Sequence, residues 1–484
     1  MDIITDNSDY IPENDSNSES DDTSTENKSM IHFIKNRINV DCNEDDFVEI
    51  INDMFDCIDE YINQEILRTS FPDFYKSLVS DIANLFYDYW IESNLCIEDD
   101  YDDIEELVES VFDLYMDFYH FTPRSIKYDS LKQLSFITND EMNILHAKIN
   151  RLKQIPQPTQ RTKEWYEFRY NLITASNIWK ALSSQANQNS LIYEKCKPLN
   201  TNNIMGTHTN TTSTLHWGVR YEPVSILVYE DMFQTRIGDF GCIPHSTHSF
   251  IGASPDGINI DETNLIRYGR MLEIKNIYNR DITGIPKEEY WIQTQVQMET
   301  CDLDQCDFFE TRFKEFESKD AFYQDEVNDY KGVILYFIQK TSGFGIDISN
   351  TNIYNNKPHY IYMPLSVEKT EYSIQNWINS VRDELKNEYT LYSTIYWYLH
   401  EYSCVLIPRN RQWFDAALPK LREIWNTIVK ERVDGYEHRA AKKQKPRQKD
   451  TNQLVTVENN SETNTQIIRN MPTKKPVCLV KLDS

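Results

Sequence analysis

The segment that most constrains this chain is residues 271–275, where a strand pattern carries two opposite charges. Residues two apart in a β-strand point to the same face of the sheet. Glu273 and Lys275 would therefore project together, while Leu272 and Ile274 point into a core. The sequence predicts a strand that presents a carboxylate beside an ammonium group.

Another acid precedes this strand, in the tetrapeptide Ser254-Pro255-Asp256-Gly257. Pro fixes φ and Gly accepts positive φ, so these residues predict a sharp corner. Apolar, strand-like runs at 250–253 and 258–260 flank the corner. We therefore predict a hairpin with Asp256 at its mouth.

These three polar side chains favour one kind of chemistry. Asp256 and Glu273 can hold a hard divalent cation such as Mg²⁺ through oxygen, together with water and phosphate oxygens. The metal lowers the pKa of a bound water, which Lys275 could orient or deprotonate. The pattern indicates phosphodiester hydrolysis, although a hairpin corner followed by a salt-bridged strand would carry the same residues.

The formal net charge of the 484 residues is −28. Taken whole, this argues against nucleic acid, because a DNA-binding protein usually presents a basic surface. The charge is uneven, however, and a cationic segment lies near the C-terminus. We predict that this segment either makes the first, non-specific contact with DNA or is a solvated tail or targeting patch. Its cations are Arg439, Lys442, Lys443, Lys445, Arg447 and Lys449.

Nine cysteines are scattered without a CxxC pair, and there is no signal peptide or long apolar run. We therefore expect a soluble intracellular protein with reduced thiols and no membrane partner. Cys242, His245 and His248 have a spacing that could suggest zinc. They lack a convincing fourth ligand, so a polar loop is the preferred interpretation.

Composition and periodicity divide the chain into five predicted segments. The acidic helical region has two interpretations, a solvated charged face or a surface that docks a partner or mimics DNA charge. The segments are an acidic disordered tail (1–30), an acidic all-helical region (31–155), a nuclease core (156–365), a helical and aromatic C-terminal part of the core (366–436) and a basic polar tail (437–484).

A candidate anion site follows the Pro-containing linker at 155–160. Arg169 lies on a predicted helix, and Thr174 or Ser176 can cap the next helix, predicted over 177–182. A helix N-terminus beside an arginine is a natural anion site. A surface salt bridge for Arg169 and a plain cap for Ser176 are the alternatives.

The remaining elements predict a mixed α/β core. Pro223 fits the first turn of a helix, so we expect a helix that begins near Glu222. A second helix is predicted over 288–302, with Tyr290, Gln293 and Gln297 on one face. Strands are predicted over 307–313, 332–338 and 360–363, which suits a mixed sheet crossed by a helix.

The ordered motifs of residues 161–313 together resemble the YqaJ-type viral recombinase family, whose type member is the exonuclease of bacteriophage lambda. The family belongs to the PD-(D/E)xK nuclease superfamily. The matching positions are Trp165, Arg169, Ile173, Ser176, Gly218, Glu222, Ala253, Ser254, Asp256, Gly257, Glu273, Lys275, Tyr290 and Gln293.

This resemblance implies a restriction-endonuclease-like α/β fold and removal of nucleotides from duplex DNA ends in the 5′ to 3′ direction with Mg²⁺ or Mn²⁺. It assigns the metal to Glu222, Asp256 and Glu273, and it makes Lys275 the catalytic lysine with Gln293 beside it. In the same way it assigns the terminal 5′-phosphate to Arg169 and Ser176, with Ser254 and Arg280 as further DNA contacts.

The long N-terminal region, the C-terminal aromatic region and the basic tail depart from the family and resemble the long versions in giant DNA viruses. The resemblance therefore implies viral DNA recombination, repair or replication, in the host cytoplasm, viral factory or virion. It offers a single-strand annealing protein and further copies of the chain as candidate partners. The alternatives are a structure-specific endonuclease or resolvase of the same fold, and a non-catalytic DNA-binding protein on a nuclease scaffold.

Overall fold

The computed structural model describes residues 44–94, 96–119, 121–127, 136–158, 162–199, 211, 213–340 and 358–441. The acidic tail predicted over 1–30 lies outside these residues. So does the cationic segment beyond Arg439. Up to Ala440 the chain forms one structural unit.

Helices precede the strands in the chain, lie between them and follow them, and they flank the sheet. No helix among the described residues is long and apolar enough to cross a membrane. The helices are α1 (Glu44–Gln64), α2 (Phe74–Glu92), α3 (Tyr101–Phe118), α4 (Asn139–Gln154), α5 (Lys163–Tyr170), α6 (Ala175–Leu182), α7 (Gln185–Cys196), α8 (Thr214–Phe233), α9 (Glu288–Cys301), α10 (Lys319–Gln324), α11 (Glu371–Leu385) and α12 (Arg411–Asp434).

The described strands form two sheets. The strands are β1 (Ile126–Lys127), β2 (Ile173–Thr174), β3 (Ile237–Gly238), β4 (Ile243–Pro244), β5 (Ile251–Ala253), β6 (Gly257–Asn259), β7 (Met271–Asn276), β8 (Gln305–Glu315), β9 (Lys331–Gln339), β10 (His359–Tyr362) and β11 (Tyr389–Pro408). The larger sheet has the order β10-β9-β11-β8-β7-β6-β3, with β1 added to β11, and the smaller has the order β2-β5-β4.

The predicted mixed α/β core is confirmed by this topology. β7 and β8 are parallel, with Lys275 opposite Glu310, while the other pairs of the larger sheet are antiparallel. A parallel pair needs a crossover connection, and α9 supplies it. The first strand of this pair carries Glu273 and Lys275, and the crossover helix carries Gln293, so all three belong to one β–α–β unit.

The prediction of a helical segment over 366–436 is wrong for its middle part. Residues 389–408 form β11, a 20-residue strand that pairs with β9 along its first half and with β8 along its second. The segment is rich in Tyr, Thr, Ile, Val and Trp, residues that favour a pleated, half-buried surface. α11 and α12 on either side are helical as predicted.

The predicted hairpin around Asp256 is also wrong. β5 pairs with β2 and β4 in the smaller sheet, whereas β6 pairs with β3 and β7 in the larger one. Asp256 thus lies where the chain passes from one sheet to the other. Gly257 does not have the positive φ that we predicted, and its role is steric, because a Cβ there would overlap the side chain of Ile237.

The helix predicted to start near Glu222 begins eight residues earlier, at Thr214, where the Ser213 side chain accepts a hydrogen bond from the amide of His216. Pro223 therefore lies inside α8 and has no amide hydrogen to donate to the carbonyl of Val219. The neighbouring carbonyl, that of Gly218, accepts a hydrogen bond from Asn276 Nδ2 at 3.1 Å. This contact attaches α8 to the end of β7.

The acidic region forms three helices with a hydrophobic core of their own, and it also contains β1, so it is not all-helical as predicted. Residues 44–118 carry 23 acidic and two basic side chains. α4 instead contributes to the core between the sheet and α9. The buried core of α1–α3 includes Phe47, Met54, Ile58, Phe74, Leu78, Ile82, Ile104, Val108 and Val111.

Candidate active site

Glu273 is at the centre of the polar cluster on β7. Its side chain is 1% exposed and forms an ion pair with Lys275. From α9, Gln293 Nε2 donates to Glu273 Oε1 and Gln297 Nε2 donates to Glu273 Oε2, both at 2.7 Å. These positions are explained by the helical period, because residues four apart lie on one face of a helix. Glu273, Lys275, Gln293 and Gln297 therefore all belong to one β–α–β unit.

The remaining member, Lys275, also donates to Gln293 Oε1 at 3.3 Å. Its Nζ lies 4.8 Å from the ring centroid of Tyr290. Burial by itself would lower the pKa of Lys275, but attraction to Glu273 and Asp256 outweighs it and raises the pKa above its usual value. Lys275 is therefore an ammonium ion at neutral pH.

Asp256 joins this cluster from the junction of the two sheets. Its Oδ2 accepts a hydrogen bond from the amide of Ile274 at 2.7 Å, so the turn is fixed against β7. Burial raises the pKa of Asp256 well above its usual value, and repulsion from Glu273 and Glu222 adds to this effect. Glu222 is exposed on α8. The three predicted acidic residues therefore influence one another electrostatically.

A cation fits the chemistry of these acids, since they are oxygen donors that repel one another. No group of three or more His, Cys, Asp or Glu side chains among the described residues is close enough to hold a metal ion as it stands. The two carboxylate oxygens of Glu273 accept hydrogen bonds from Gln293, Gln297 and Lys275. The predicted metal assignment to Glu222, Asp256 and Glu273 stays a prediction, and it requires these contacts to rearrange.

Arg280 lies beside the same cluster. It pairs with Glu310, the strand neighbour of Lys275, and its guanidinium carbon is 5.6 Å from the ring centroid of Tyr290. Tyr290 thus has two cations near its ring, Lys275 and Arg280. The structure brings Arg280 to the site that the sequence predicted for it, although an acidic partner holds it there.

The predicted anion pocket is assembled by the smaller sheet. β2 and β5 are parallel, with Thr174 opposite Gly252. Ser176 and Ser254 each follow these partners by two residues, so both leave the sheet at the same edge. Ser254 Oγ is buried, and the partner beside it is the Cys242 thiol, which forms only weak hydrogen bonds. A bound anion would give this hydroxyl a stronger acceptor.

Arg169 belongs to this pocket. Its guanidinium carbon lies 4.5 Å from the ring centroid of Trp165. Burial lowers the pKa of Arg169, and interaction with the Cys242 thiol offsets part of the change. That thiol also interacts with Ser254. Arg169, Cys242 and Ser254 therefore share one environment, and it is electropositive.

The sequence did not indicate the second basic residue here, Lys195. This lysine is 6% exposed, and its Nζ donates to the carbonyl oxygen of Arg169 at 2.8 Å. Burial lowers the pKa of Lys195 to about 8. From α12, Arg432 donates to the carbonyls of Lys195 and Tyr170 at 3.0 and 2.6 Å. No local pattern joins these residues, because they come from three separate helices.

The zinc interpretation of Cys242 and the two histidines gains no support. The Cys242 thiol interacts with Arg169, whereas the ring of His245 stacks on Phe414 with centroids 5.7 Å apart. Nδ1 of His245 accepts a hydrogen bond from the amide of Thr247 at 3.2 Å. These contacts agree with the preferred interpretation, a polar loop.

Sequence and structure comparisons show which known proteins this chain is similar to. The chain is 28% identical over 312 residues to an uncharacterized protein of Acanthamoeba polyphaga mimivirus. The alignment covers 59% of this chain and 55% of that protein. The chain therefore spans about half the length of this relative.

Two solved structures were also found to be similar. They are the alkaline exonuclease of Laribacter hongkongensis (17% identity, TM-score 0.29) and the same enzyme in complex with dAMP (18% identity, TM-score 0.30). Each alignment covers 57% of this chain and 95% of the exonuclease.

Residues 164–304 match the YqaJ-like viral recombinase domain. This range contains the acids, Lys275, Gln293 and the anion pocket residues Arg169, Ser176 and Ser254. The match confirms the resemblance that the motifs indicated. Over residues 164–304, this chain is therefore similar to the YqaJ-like viral recombinase domain.

Proposed function

We propose that this protein is a metal-dependent DNA exonuclease that removes nucleotides from duplex ends in the 5′ to 3′ direction. The observation that supports this most strongly is that Glu273, Lys275, Gln293 and Asp256 form one cluster. The segment that contributes Asp256 to this cluster also contributes Ser254 to the anion pocket. Only Pro255 separates Ser254 of the pocket from Asp256 of the acidic cluster.

Mg²⁺ or Mn²⁺ would be held by Glu222, Asp256 and Glu273. When bound, such an ion lowers the pKa of a water and neutralises charge that develops on the phosphate. The repulsion that raises the pKa of Asp256 supports this assignment, because a divalent cation would relieve it. Binding requires Glu273 to exchange part of its contact with Lys275 and Gln293 for the cation.

Lys275 would then act on the attacking water and the scissile phosphate. As an ammonium ion it donates hydrogen bonds, so it can orient the water and stabilise negative charge on a phosphate oxygen. Gln293 and Gln297 keep the carboxylate of Glu273 in place on the buried side. The hydrolysis adds the elements of water across one P–O bond of the DNA backbone.

The anion pocket suits the phosphate at a 5′ end. Arg169 and Lys195 provide positive charge, Ser176 lies in the first turn of α6, and Ser254 Oγ offers a buried hydroxyl whose neighbour is the Cys242 thiol. Helix N-termini and guanidinium groups both favour phosphate oxygens. A phosphate here would position the next phosphodiester bonds along the segment that leads to Asp256.

Double-stranded DNA is therefore the proposed substrate, and viral DNA recombination, repair or replication is the proposed role. A single-strand annealing protein and further copies of this chain are proposed partners. The mimivirus relative is consistent with a viral setting.

The test is a digestion assay with purified full-length protein and Mg²⁺ on three linear duplexes that differ only at their ends. One has 5′-phosphates, the second has 5′-hydroxyls and the third has ends blocked by hairpin loops. We expect fastest loss of mononucleotides from the first and none from the third. Cleavage of the blocked duplex would instead support an endonuclease of the same fold, and binding without any cleavage would support a non-catalytic protein.

A further inference from the structure

A column of aromatic rings runs from the buried sheet to the surface beside the proposed active site. Trp397 packs on Phe313 with ring centroids 5.4 Å apart, and Phe313 stacks on Tyr221 at 5.0 Å. Tyr221 contacts Trp217 at 4.4 Å, and Trp217 contacts Tyr278 edge to face at 5.3 Å. The inner three rings are buried, and the outermost, Tyr278, is 58% exposed.

The two outer rings are attached to the elements that carry the acids and the lysine. Tyr278 follows Lys275 by three residues, and Trp217 precedes Glu222 by five on α8. Asn276, between Lys275 and Tyr278, donates to the carbonyl of Gly218 at 3.1 Å. The ring pair is thus fixed in position by the same contact that attaches α8 to β7.

The exposure of the two rings indicates which of them would meet a ligand. Trp217 Nε1 is buried, so the indole supports its neighbour and does not itself face solvent at this atom. Tyr278 leaves most of its ring in water although Trp217 supports it from below. Arg280, two residues further along, adds a cation at the same edge of the site.

We propose that Tyr278, supported by Trp217, is a stacking platform for an unpaired nucleobase at the DNA end. This inference rests on the proposed exonuclease function, and it adds a base contact that the acids and the anion pocket do not supply. Every nucleobase has a π-face, so stacking on an aromatic ring tolerates any sequence. Tyr278 would hold an unpaired nucleobase of the separated DNA strand, while the sugar–phosphate backbone of that strand lies along residues 254–256.

The test uses Tyr278→Ala and Tyr278→Phe in the full-length protein, with Tyr372→Ala as a matched control because Tyr372 is a 78% exposed tyrosine on α11. Binding is measured in EDTA, so that no hydrolysis occurs. The probes are 5′-phosphorylated duplexes with a short unpaired end, carrying either normal bases or one abasic nucleotide at successive unpaired positions.

We expect Tyr278→Ala to bind the normal end about 5- to 100-fold more weakly, while Tyr278→Phe and Tyr372→Ala bind like the wild type. At one position, an abasic nucleotide should weaken wild-type binding by a similar factor and leave Tyr278→Ala with no further loss. If Tyr278→Ala binds the normal end like the wild type, or loses equally at every abasic position, the platform does not exist.

Digestion of the same duplexes with Mg²⁺ separates the two proposals. Wild-type protein that digests DNA while Tyr278→Ala is unaffected in binding and turnover would overturn only the platform. Wild-type protein that neither binds nor digests DNA would overturn the proposed function, and the platform with it.

Discussion

At the scale of single residues, Asp256 lies where burial and two neighbouring carboxylates oppose its ionisation. A carboxyl group whose pKa is raised by folding holds its proton more tightly in the folded state. It therefore destabilises the fold progressively as the pH rises above the ordinary value for Asp. This is the pattern expected of a residue placed for function, because it reduces stability until a cation is bound.

We expect Asp256→Asn to be more stable than the wild type at neutral pH in EDTA. The difference should shrink as the pH falls and vanish near about pH 4, where the unfolded-state carboxyl is also protonated. The measurement is the thermal unfolding midpoint of both proteins across this pH range. Adding Mg²⁺ should raise the midpoint of the wild type more than that of the variant, and a variant that is less stable at every pH would contradict the electrostatic argument.

Lys275 gives a prediction about turnover. Lys275→Ala and Asp256→Ala should each effectively abolish DNA hydrolysis. For Lys275→Ala, kcat should fall by about 10³-fold or more, because the lysine would stabilise charge only in the transition state. Both variants should keep their fold, as judged by circular dichroism. Lys314→Ala, which changes an exposed lysine on the neighbouring strand β8, is the matched control. Near-normal turnover by either of the first two variants would remove this cluster as the active site.

Arg169 gives a prediction about which ends are used. Arg169→Ala removes a charge-assisted contact to a terminal 5′-phosphate, which is worth about 1.5–3 kcal/mol. We expect kcat/KM on 5′-phosphorylated ends to fall by about 10- to 100-fold, with a small change on 5′-hydroxyl ends. Arg169→Lys should restore part of the activity. Equal losses on both kinds of end would mean that Arg169 only supports the fold next to Trp165.

At the scale of elements, Arg124 joins the acidic helices to α9. It is 5% exposed and donates to the carbonyl oxygens of Ser70, between α1 and α2, and of Pro286, just before α9. Trp291, on α9, donates its indole N–H to the carbonyl of Arg124 at 2.8 Å. The N-terminal helices thereby fix the first turn of the helix that carries Gln293 and Gln297.

We expect Arg124→Ala to leave two buried carbonyls without their partner and to lower the free energy of unfolding by about 3 kcal/mol. It should also lower kcat, because α9 positions the groups around Glu273. The measurements are urea unfolding and turnover on 5′-phosphorylated duplex. Arg151→Ala, at a half-exposed arginine of α4, is the control and should change stability by less than about 0.5 kcal/mol. An active Arg124→Ala enzyme of normal stability would show that the N-terminal helices are independent of the site.

Some of the helices and strands could be predicted from the sequence, and others could not. The strand with Glu273 and Lys275 and the helix with Gln293 were predictable, because their periods of two and 3.6 are local properties. β11 was not recognised, since its Tyr-rich run also suits an aromatic helix and its partners β8 and β9 lie fifty or more residues away. The separation of β5 from β6 is equally non-local, because it depends on pairing with β2 and β3.

The residues of the candidate site also differ in how far the sequence could predict them. The family motifs named Glu273, Lys275, Gln293 and Asp256, and the structure brings these four together. Lys195 and Arg432 could not be found, because only tertiary packing brings α7 and α12 to Arg169. The sequence predicted Gln297 on the same helix face as Gln293, and its contact with Glu273 follows from the spacing of four.

At the scale of the whole molecule, much of the negative charge is concentrated in the three N-terminal helices α1–α3. Residues 44–118 have 23 acidic and two basic side chains, out of 77 and 49 in the chain. The remainder is therefore close to neutral, and the total of −28 does not describe the surface that DNA would meet. The acidic helices would repel DNA phosphates, so the nearly neutral remainder of the chain is the surface on which DNA binding would be less opposed.

The cationic segment is where this repulsion would be offset. Arg439 cannot contribute fully, because its guanidinium is paired with Glu431 and donates to Asn189. The five cations from Lys442 to Lys449 remain, and together they can release several counterions on binding DNA. We expect deletion of residues 442–484 to weaken duplex binding and to make its dependence on salt shallower. This cut preserves the Arg439–Glu431 pair, so α12 and the anion pocket should stay intact.

The measurement is duplex affinity of the full-length and shortened proteins from about 50 to 200 mM salt, with single-turnover cleavage of pre-bound DNA as the second readout. A slope reduced by about three or four charges, with unchanged single-turnover cleavage, is the expected result, because the segment would act before the chemical step. A variant in which the five cations are replaced by Gln separates loss of charge from loss of chain length. If affinity and slope are the same in all three proteins, the first contact with DNA is made by the core, and Arg169, Lys195 and Arg280 become the positive surface that must account for it.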